Sequence, residues 1–347
     1  MSILAIDTSC DETAAAIVDG RKVLSNVIYS QVLIHKKWGG VVPSLAKRAH
    51  EERIDFVINE AIKKFQISNF KFQISDINYI AVTQGPGLAV ALEVGIKKAK
   101  ELAEKYNKKL ISVNHLEGHI YSPFVQNSQG NPKQEFEFPY LALVVSGGHT
   151  SLVIFKDHIN YEVIGETIDD AAGEALDKAG KMMGLGYPGG AVIERLAKEV
   201  DNKDFYSFPR PMLKSKDLNF SFSGLKTSFY YFIKELSDKE KADKLRKLVS
   251  SFQEAVFDTI IFKTEKAIKQ TGINKLSVGG GVIANLYLRK KLRTLVKKYK
   301  GEVLFPYYKY LTGDNAAMIG VAASYKAGKG IFVKNLQELD RQPRMSL

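Results

Sequence analysis

The segment ILAIDTSCDETAAAIVDG, residues 3–20, contains an apolar strand, a polar turn rich in Asp, Thr and Ser, and a second apolar strand. The segment YLALVVSGGHTSLVIFKD, residues 140–157, has the same order in the second half of the chain. Later in each half, at residues 79–103 and 275–296, an apolar strand ends in glycines and leads into a helix. The repeated order predicts an internal duplication, with two lobes built on one plan.

Both the hairpin turns and the strand-to-helix turns are suited to bind the phosphate of a nucleotide. Hairpin turns with free backbone N–H groups and small hydroxyls bind phosphate, as do helices that begin at glycines. A strand-to-helix turn often needs glycine for its backbone conformation alone, but the recurrence in both halves favours a nucleotide cleft between the lobes. We expect a first lobe over residues 1–125, completed by a C-terminal helix over residues 325–345, and a second lobe over residues 126–324.

Two polar segments are expected at the surface. Residues 126–139, QNSQGNPKQEFEFP, are rich in polar residues and contain Gly and Pro, which is typical of a linker. Residues 63–79 contain Lys-Phe-Gln-Ile-Ser twice. Because one tandem copy does not make a repeat protein, we interpret this segment as a surface insertion without a catalytic role.

Composition favours a soluble cytoplasmic protein that binds a polyanion. The 347 residues are 45% hydrophobic and 25% charged, and no apolar run approaches the roughly 20 residues that span a bilayer. The N-terminus lacks the features of a signal peptide, and a single cysteine, Cys10, fits a reducing compartment. The net charge of +12 makes nucleic acid the first candidate partner. Basic residues cluster at Lys36, Lys37, Lys47 and Arg48, and again at Lys97, Lys98, Lys100, Lys105, Lys108 and Lys109.

A metal site is predicted from His115 and His119, which lie one helical turn apart in ISVNHLEGHIYSPF, with Asp314 of LTGDNAAMIG as a third ligand. Two imidazoles and one carboxylate leave coordination positions open for chemistry. Alternatively, a helical His pair is often solvated or packed, and Asp314 is placed to cap a helix. A zinc protease is disfavoured, because Glu117 lies one position later than in the zincin motif, about 100° further around the helix.

The motifs together resemble one family. They are IDTSCDET, SQVLIHKKWGGVVPSLAKRAHEE, TQGPGL, NHLEGHIYSPF, LVVSGGHT, IDDAAGEALDKAGKMMGLGYPGG, FSFSGLKT, GGGVIANLYLR and TGDNAAMIG. In this order they are similar to the bacterial branch of the TsaD family (also YgjD or Gcp), the tRNA adenosine threonylcarbamoyltransferases. The resemblance implies an α/β fold of the actin-like, ribonuclease-H-like class (ASKHA), with two lobes of mixed five-stranded sheets flanked by helices.

The resemblance also implies a reaction. The threonylcarbamoyl group of threonylcarbamoyl-AMP passes to the exocyclic N6 amine of adenosine 37 in tRNAs that read codons beginning with A, which forms N6-threonylcarbamoyladenosine and AMP. The implied partners are a TsaB-like paralogue that forms a heterodimer, a TsaE-like P-loop ATPase, and the synthase that makes the adenylate. An ATPase or kinase of the same fold class is the alternative, but such enzymes hold Mg²⁺ through carboxylates.

Site residues follow from the resemblance one by one. His115, His119 and Asp314 match the metal ligands, usually of iron, although zinc also suits them. The segment that matches the phosphate and threonyl site is Val144, Val145, Ser146, Gly147 and Gly148. The residues that match positions around the ribose and base are Asp177, Gly190, Glu194 and Asn285; many bacterial members have Asp in place of Glu194. Asp11 and Glu12 are candidate catalytic carboxylates that orient an amine or hold a water.

Some residues keep more than one interpretation. A lone histidine is usually a packing or surface residue, so His35, His50, His149 and His158 receive no role, although His149 follows the expected phosphate loop. Lys226 is equally ambiguous. Lys97 and Lys98 are expected to contact the phosphates of tRNA.

Overall fold

The computed structural model describes residues 1–68, 72–134 and 137–347. The second Lys-Phe-Gln-Ile-Ser copy begins at Lys71, and part of the expected linker falls at residues 135–136, so both predictions lie partly outside these ranges. The described strands form two five-stranded sheets with the orders β3-β2-β1-β4-β5 and β10-β9-β6-β7-β8. Read from opposite edges, the two orders are the same. The predicted duplication and the mixed five-stranded sheets are therefore confirmed.

The first lobe begins with a hairpin and ends with the helix that carries the two histidines. Its elements are β1 (Ser2–Asp7), β2 (Glu12–Asp19), β3 (Lys22–Ser30), α1 (Val32–His35), α2 (Pro43–Ser68), β4 (Tyr79–Gly85), α3 (Ala89–Lys105), β5 (Lys109–Asn114) and α4 (His115–Tyr121). β1 pairs antiparallel with β2, so that Ile3 faces Val18, and parallel with β4. The polar turn between β1 and β2 therefore lies at the carboxyl end of β1.

The second lobe repeats this strand arrangement with additional helices. Its elements are β6 (Tyr140–Val145), β7 (Thr150–Asp157), β8 (Asn160–Glu166), α5 (Ala172–Met182), α6 (Gly189–Lys198), α7 (Ser223–Lys234), α8 (Asp238–Thr271), β9 (Lys275–Gly279), α9 (Leu286–Lys298) and β10 (Glu302–Leu304), followed by α10 (Ala316–Gly328). β6 pairs antiparallel with β7 and parallel with β9. The second hairpin turn, at Ser146, therefore corresponds to the first.

One hydrophobic core joins the two lobes. It contains Ala5 and Val113 from the first sheet, Ala142 and Val144 from the second, and Ile319 of α10. Helix α4 lies inside this junction: a Cβ at Gly118 would come within 2.9 Å of Ile319, and a Cβ at Gly279 within 2.1 Å of the carbonyl oxygen of His119. The backbone that carries the histidines is therefore held tightly between both lobes.

The C-terminal segment differs from the prediction. Helix α10 ends at Gly328. Gly330 then has a left-handed φ of 71°, a backbone conformation that residues with a β-carbon rarely adopt. Residues 331–345 contain no helix, so the predicted helix over residues 325–345 is wrong. This irregular segment contacts the first lobe, where the backbone N–H of Gln342 donates to the carbonyl of Gln84 at 2.9 Å. The limits of the two lobes stay a prediction. Among the described residues, no helix is long and apolar enough to cross a membrane.

Candidate metal and nucleotide site

The two histidines project from the first turns of α4. Asn114 caps this helix, because its side chain accepts the N–H of Leu116 at 2.8 Å and the Glu117 carboxylate accepts the N–H of Asn114 at 3.2 Å. Residues four apart share one face of a helix, and the rings of His115 and His119 lie 4.7 Å apart. The predicted pairing of the imidazoles is therefore present.

Asp314 completes the cluster from the loop before α10. Its Oδ1 lies 3.3 Å from Nε2 of His115 and 3.3 Å from Nε2 of His119, and the three candidate ligand atoms lie within 4.8 Å of one another. Asn315, not Asp314, caps α10 by accepting the N–H of Met318 at 3.0 Å. The alternative interpretation of Asp314 as the cap is therefore wrong, and its carboxylate faces the histidines instead.

The donor set fits a divalent metal. Over the ranges that the structure describes, neither ring nitrogen of His119 makes a hydrogen bond, and both are buried. Burial lowers the pKa of His119 in spite of its contact with Asp314, which favours the neutral imidazole that binds metals. Burial also opposes the charged form of His115, but Asp314 raises the pKa of His115 to about 9, so metal binding there releases a proton. Burial opposes the ionisation of Asp314, but the two histidines hold the pKa of its carboxyl well below the usual range. A neutral imidazole beside an ionised carboxylate is a suitable pair of ligands.

Asp7 stands behind His115. Its Oδ2 lies 4.0 Å from Nδ1 of His115, while its Oδ1 accepts hydrogen bonds from Thr83 at 2.8 Å and from the N–H of Ser9 at 3.1 Å. Metal-binding histidines commonly present their second ring nitrogen to a carboxylate, which fixes the tautomer and the orientation of the ring. This contact was not predictable from local patterns, because Asp7 lies more than 100 residues from His115 along the chain.

A cavity of about 710 Å³ opens beside the cluster. His115 and Asp314 lie in its wall together with both hairpin turns: residues 9–12 from the first lobe and residues 146–149 from the second. No heavy atom lies within 4 Å of a Cβ built at Gly147 or Gly148, so their backbone is open to a ligand. Val144 and Val145 belong to β6 and are fully buried. The expected phosphate loop therefore begins at Ser146, and the valines support it from behind.

A second cavity of about 270 Å³ shares Gly147 and Asp177 with the first and is lined by the other predicted nucleoside residues, Gly190, Glu194 and Asn285. The side chains of Asp177, Glu194 and Asn285 also support the fold. Asp177 accepts the N–H of Gly190 at 2.9 Å, and Glu194 accepts the N–H of Leu286 at 2.9 Å. Asn285 caps α9 and donates to Gln253 at 3.0 Å. The fold therefore brings together the residues that the resemblance predicted around the ribose and base.

Residues 22–321 match the family model described as TsaD, tRNA N6-adenosine threonylcarbamoyltransferase. The chain belongs to the TsaD family. A relative of that description from Syntrophotalea carbinolica is 46% identical over 94% of this chain and 92% of its own length. Another, from Thermosipho melanesiensis, is 45% identical over the full length of both chains. The chain is accordingly an acyltransferase that forms N6-threonylcarbamoyladenosine in tRNA.

Solved structures support the fold of this TsaD member. T. kodakarensis HypF is 13% identical with a TM-score of 0.62, covering 97% of this chain and 49% of HypF. The activator of the 2-hydroxyisocaproyl-CoA dehydratase from Clostridium difficile, solved with bound ADPNP, is 13% identical with a TM-score of 0.52, covering 96% and 99%. At such identities the likeness shows the fold alone. With the duplicated sheets, it confirms the actin-like two-lobe class.

The two candidate carboxylates of the first hairpin, Asp11 and Glu12, both line the larger cavity. Asp11 is buried, and Tyr187 of the second lobe donates to its Oδ2 at 3.5 Å. Burial, and then the charges of Asp11 and Asp314, raises the pKa of Glu12 well above its usual range. Carboxyl groups that exchange protons with substrates commonly lie in a cleft and have a raised pKa.

The cavity wall also contains residues without a predicted role, namely Lys178, Lys181, Tyr187 and His149. Lys178 lies 2.9 Å from Asp170 and 2.7 Å from Glu174. Burial, and then the charge of His115, lowers the pKa of His149 to about 4, so this imidazole is neutral at physiological pH. Lys178 directly follows Asp177, which the resemblance marks, on α5.

The remaining ambiguous residues have contacts that belong to the fold. Nδ1 of His50 lies 2.8 Å from the hydroxyl of Thr13, and its Nε2 lies 2.9 Å from the carbonyl of Cys10. His158 stacks on Tyr325 with the ring centroids 3.7 Å apart. Lys226 donates to Asp170 at 2.5 Å, the same carboxylate that Lys178 contacts.

Proposed function

We propose that this acyltransferase takes the threonylcarbamoyl group from threonylcarbamoyl-AMP and transfers it to N6 of adenosine 37 in tRNAs that read codons beginning with A, with AMP as the leaving group. The observation that carries this assignment is the continuity of three parts. The smaller cavity, the open glycine loop and the His115–His119–Asp314 cluster follow one another along a single cleft.

The donor fits this order. The adenosine of the adenylate enters the smaller cavity beside Asp177, Glu194 and Asn285. Its phosphate then lies at the loop of residues 146–148, whose open backbone can donate N–H groups. Lys181 in the adjoining wall adds positive charge next to the phosphate. The acyl group consequently extends towards His115 and Asp314.

The three ligands would hold one divalent cation, for which we propose iron, Fe²⁺; zinc also fits two imidazoles and a carboxylate. Such an ion supplies Lewis acidity that polarises a carbonyl group. The chain's own contribution is orientation: the capped helix α4 fixes both imidazoles, and Asp7 faces the second nitrogen of His115. Fixed groups need no reorganisation when charge develops in the transition state.

The adenine amine is a weak nucleophile because its lone pair is delocalised into the ring. Positioning must therefore supply much of the rate enhancement, up to roughly 7 to 11 kcal/mol in ideal cases. We assign Asp11 as the carboxylate that orients the N6 amine and takes its proton, and Glu12 as the neighbouring carboxyl group that holds a water, since both line the cavity beside the cluster. Anticodon-loop bases can leave their stack at low cost, which allows the adenine to enter.

We also propose the family's setting for this chain: a TsaB-like paralogue as heterodimer partner, a TsaE-like P-loop ATPase, and a cytoplasmic location. The alternative of a kinase or ATPase is disfavoured by the ligand set, because Mg²⁺ prefers carboxylates to imidazoles.

The test is transfer of labelled threonylcarbamoyl from its adenylate to tRNA, with partner proteins present. We compare the wild type with His115→Ala and Asp314→Ala, and use Asp201→Ala as a control because the Asp201 side chain is 79% exposed. Loss of transfer and of bound metal in the first two variants alone supports the assignment. Active, folded His115→Ala and Asp314→Ala proteins would exclude a role for the metal cluster, and an inactive wild type would exclude the proposed donor and acceptor pair.

A further inference from the structure

Residues 36–41 of the first lobe, which we call the lip, lie at the border of the cleft and include an exposed aromatic side chain. Residues 39–41 line the larger cavity, and Trp38, which directly precedes them, is 54% exposed. Since neighbouring Cα atoms are only about 3.8 Å apart, the backbone of Trp38 lies at the edge of the cavity. Gly39 packs against Lys181 of α5, with a built Cβ 3.4 Å from Cε, so the lip also touches the opposite lobe.

The lip is held in place rather than loose. Nε2 of His35 lies 3.1 Å from Oε1 of Gln31, and the backbone N–H of Val42 donates to Nδ1 of His35 at 3.3 Å. Both residues that precede the exposed turn, Gln31 and His35, are buried. His35, which had no role in the sequence analysis, therefore closes the base of this segment. A preorganised aromatic side chain loses little conformational entropy when it binds.

The lip carries positive charge. Lys36 and Lys37 are exposed, and Nζ of Lys37 lies 5.4 Å from the centre of the Trp38 ring. Within the part of the chain that the structure describes, neither lysine has a carboxylate at ion-pair distance. Lys98, by contrast, lies 2.8 Å from Asp55 and 2.7 Å from Glu101, so its charge is already compensated. Lys36 and Lys37 are accordingly better placed than Lys98 to contact phosphates.

We infer that Trp38, with Lys36 and Lys37, is a stacking platform for an anticodon-loop base next to the adenosine that enters the cleft. The inference rests on the proposed function, which places that adenosine in the larger cavity. Proteins recognise single-stranded RNA in this way: an aromatic face stacks on a base, and nearby lysines contact the phosphate backbone. Lys37 lies over the indole ring, and about half of the Trp38 surface is exposed to solvent, which leaves room for a base.

The first test is steady-state transfer with partner proteins and saturating adenylate. Replacing Trp38 by Ala is expected to raise KM for tRNA by about tenfold while KM for the adenylate stays unchanged. Trp38→Phe keeps an aromatic face and should recover most of this loss. Phe56→Ala is the matched control: Phe56 is also 54% exposed, but lies 13 residues into α2, roughly 20 Å along the helix from Pro43.

The second test uses the fact that Trp38 is the single tryptophan of the chain. Its fluorescence reports directly on stacking, so an anticodon stem-loop should quench it, and a loop with abasic sites beside the target adenosine should quench it less. Lys36→Ala with Lys37→Ala is expected to lower the salt dependence of tRNA binding by about one unit of slope per lysine.

The outcomes separate this inference from the proposed function. Normal KM for tRNA in Trp38→Ala, with transfer intact, overturns the platform and leaves the acyltransferase assignment standing. Fluorescence that changes with protein concentration or with the paralogue, but not with RNA, also overturns it, because a protein then covers the lip. Loss of transfer with unchanged tRNA affinity would contradict a binding role as well.

Discussion

The ammonium of Lys326 in α10 lies 2.8 Å from the carboxylate of Glu117 in α4. Both side chains are at least nine-tenths buried, and the same Glu117 oxygen accepts the N–H of Asn114 at the start of α4. Glu117 is thus committed to an ion pair and to a helix cap. It is not available as the general base of a zinc protease, which agrees with its displaced position in the motif.

Replacement of Lys326 by Met is expected to destabilise the protein by about 3 kcal/mol, because it leaves a buried carboxylate without its partner. Urea unfolding measures the change. Glu117→Gln combined with Lys326→Met should recover part of the loss, since no charge then remains unpaired. Lys63→Met is the control: Lys63 is 71% exposed and pairs with Glu60 at 3.6 Å, so its change should stay within about 0.5 kcal/mol. Equal effects of the two lysine variants would contradict the importance of the buried pair.

Local patterns were sufficient to predict the repeated strand order and the His115–His119 pair, because strand alternation and helical spacing depend on neighbouring residues. Contacts between distant residues were not predictable in the same way. The Lys326–Glu117 pair and the position of Asp7 behind His115 arise only when the lobes pack together. The expected C-terminal helix failed because contacts with the first lobe hold this segment in an irregular form.

The predicted nucleotide residues show a second limit. A sequence motif marks Asn285 and Glu194 without saying whether a ligand or the fold needs them. Here Asn285 caps α9 and Glu194 binds the N–H of Leu286. Both side chains therefore support the wall of the smaller cavity that they line.

Gly280 is expected to tolerate no side chain. Its φ of 100° lies in a region that residues with a β-carbon rarely adopt, and a Cβ would come within 2.2 Å of the carbonyl oxygen of Val145, just before the phosphate loop. Backbone strain and overpacking together predict that Gly280→Ala loses roughly 2 to 5 kcal/mol of stability.

Gly281→Ala provides the matched control, because no heavy atom lies within 4 Å of a Cβ at that position. Its free energy of unfolding should change by less than about 0.5 kcal/mol. Since Gly281 lines the smaller cavity, urea unfolding rather than activity is the measurement to compare. Similar stabilities for the two variants would show that the backbone at Gly280 can relax.

Glu12→Gln is expected to stabilise the metal-free protein at neutral pH. Burial and then Asp11 raise the pKa of Glu12 well above 4.5, so the folded state keeps a proton that the unfolded chain releases. The free energy of unfolding therefore falls as the pH rises from the pKa of Glu12 in the unfolded chain to its pKa in the folded protein. The loss is about 1.4 kcal/mol for each unit by which folding raises this pKa. An uncharged glutamine removes this loss.

Urea unfolding between about pH 4 and pH 8 measures the difference, which should be small at the acid end and grow with pH. Glu51→Gln serves as the control, since the Glu51 side chain is 55% exposed and its nearest ion-pair distance, to Lys47, is 3.9 Å. A Glu12→Gln protein whose advantage is constant across this range would indicate better packing instead of relief of a buried charge.

Asp7→Asn is expected to weaken metal binding by about 10- to 100-fold, the usual effect of removing a carboxylate behind a metal-binding histidine. The Asp7 Oδ2 lies 4.0 Å from Nδ1 of His115 and accepts no hydrogen bond from the described residues, so this oxygen is directed at that imidazole. Competition with a chelator for Zn²⁺ and Fe²⁺ measures the affinity. Thr83→Val, which removes only the hydrogen bond to the other carboxylate oxygen, should have a smaller effect. An affinity of Asp7→Asn equal to that of the wild type would assign Asp7 to the hairpin turn alone, through its contact with the N–H of Ser9.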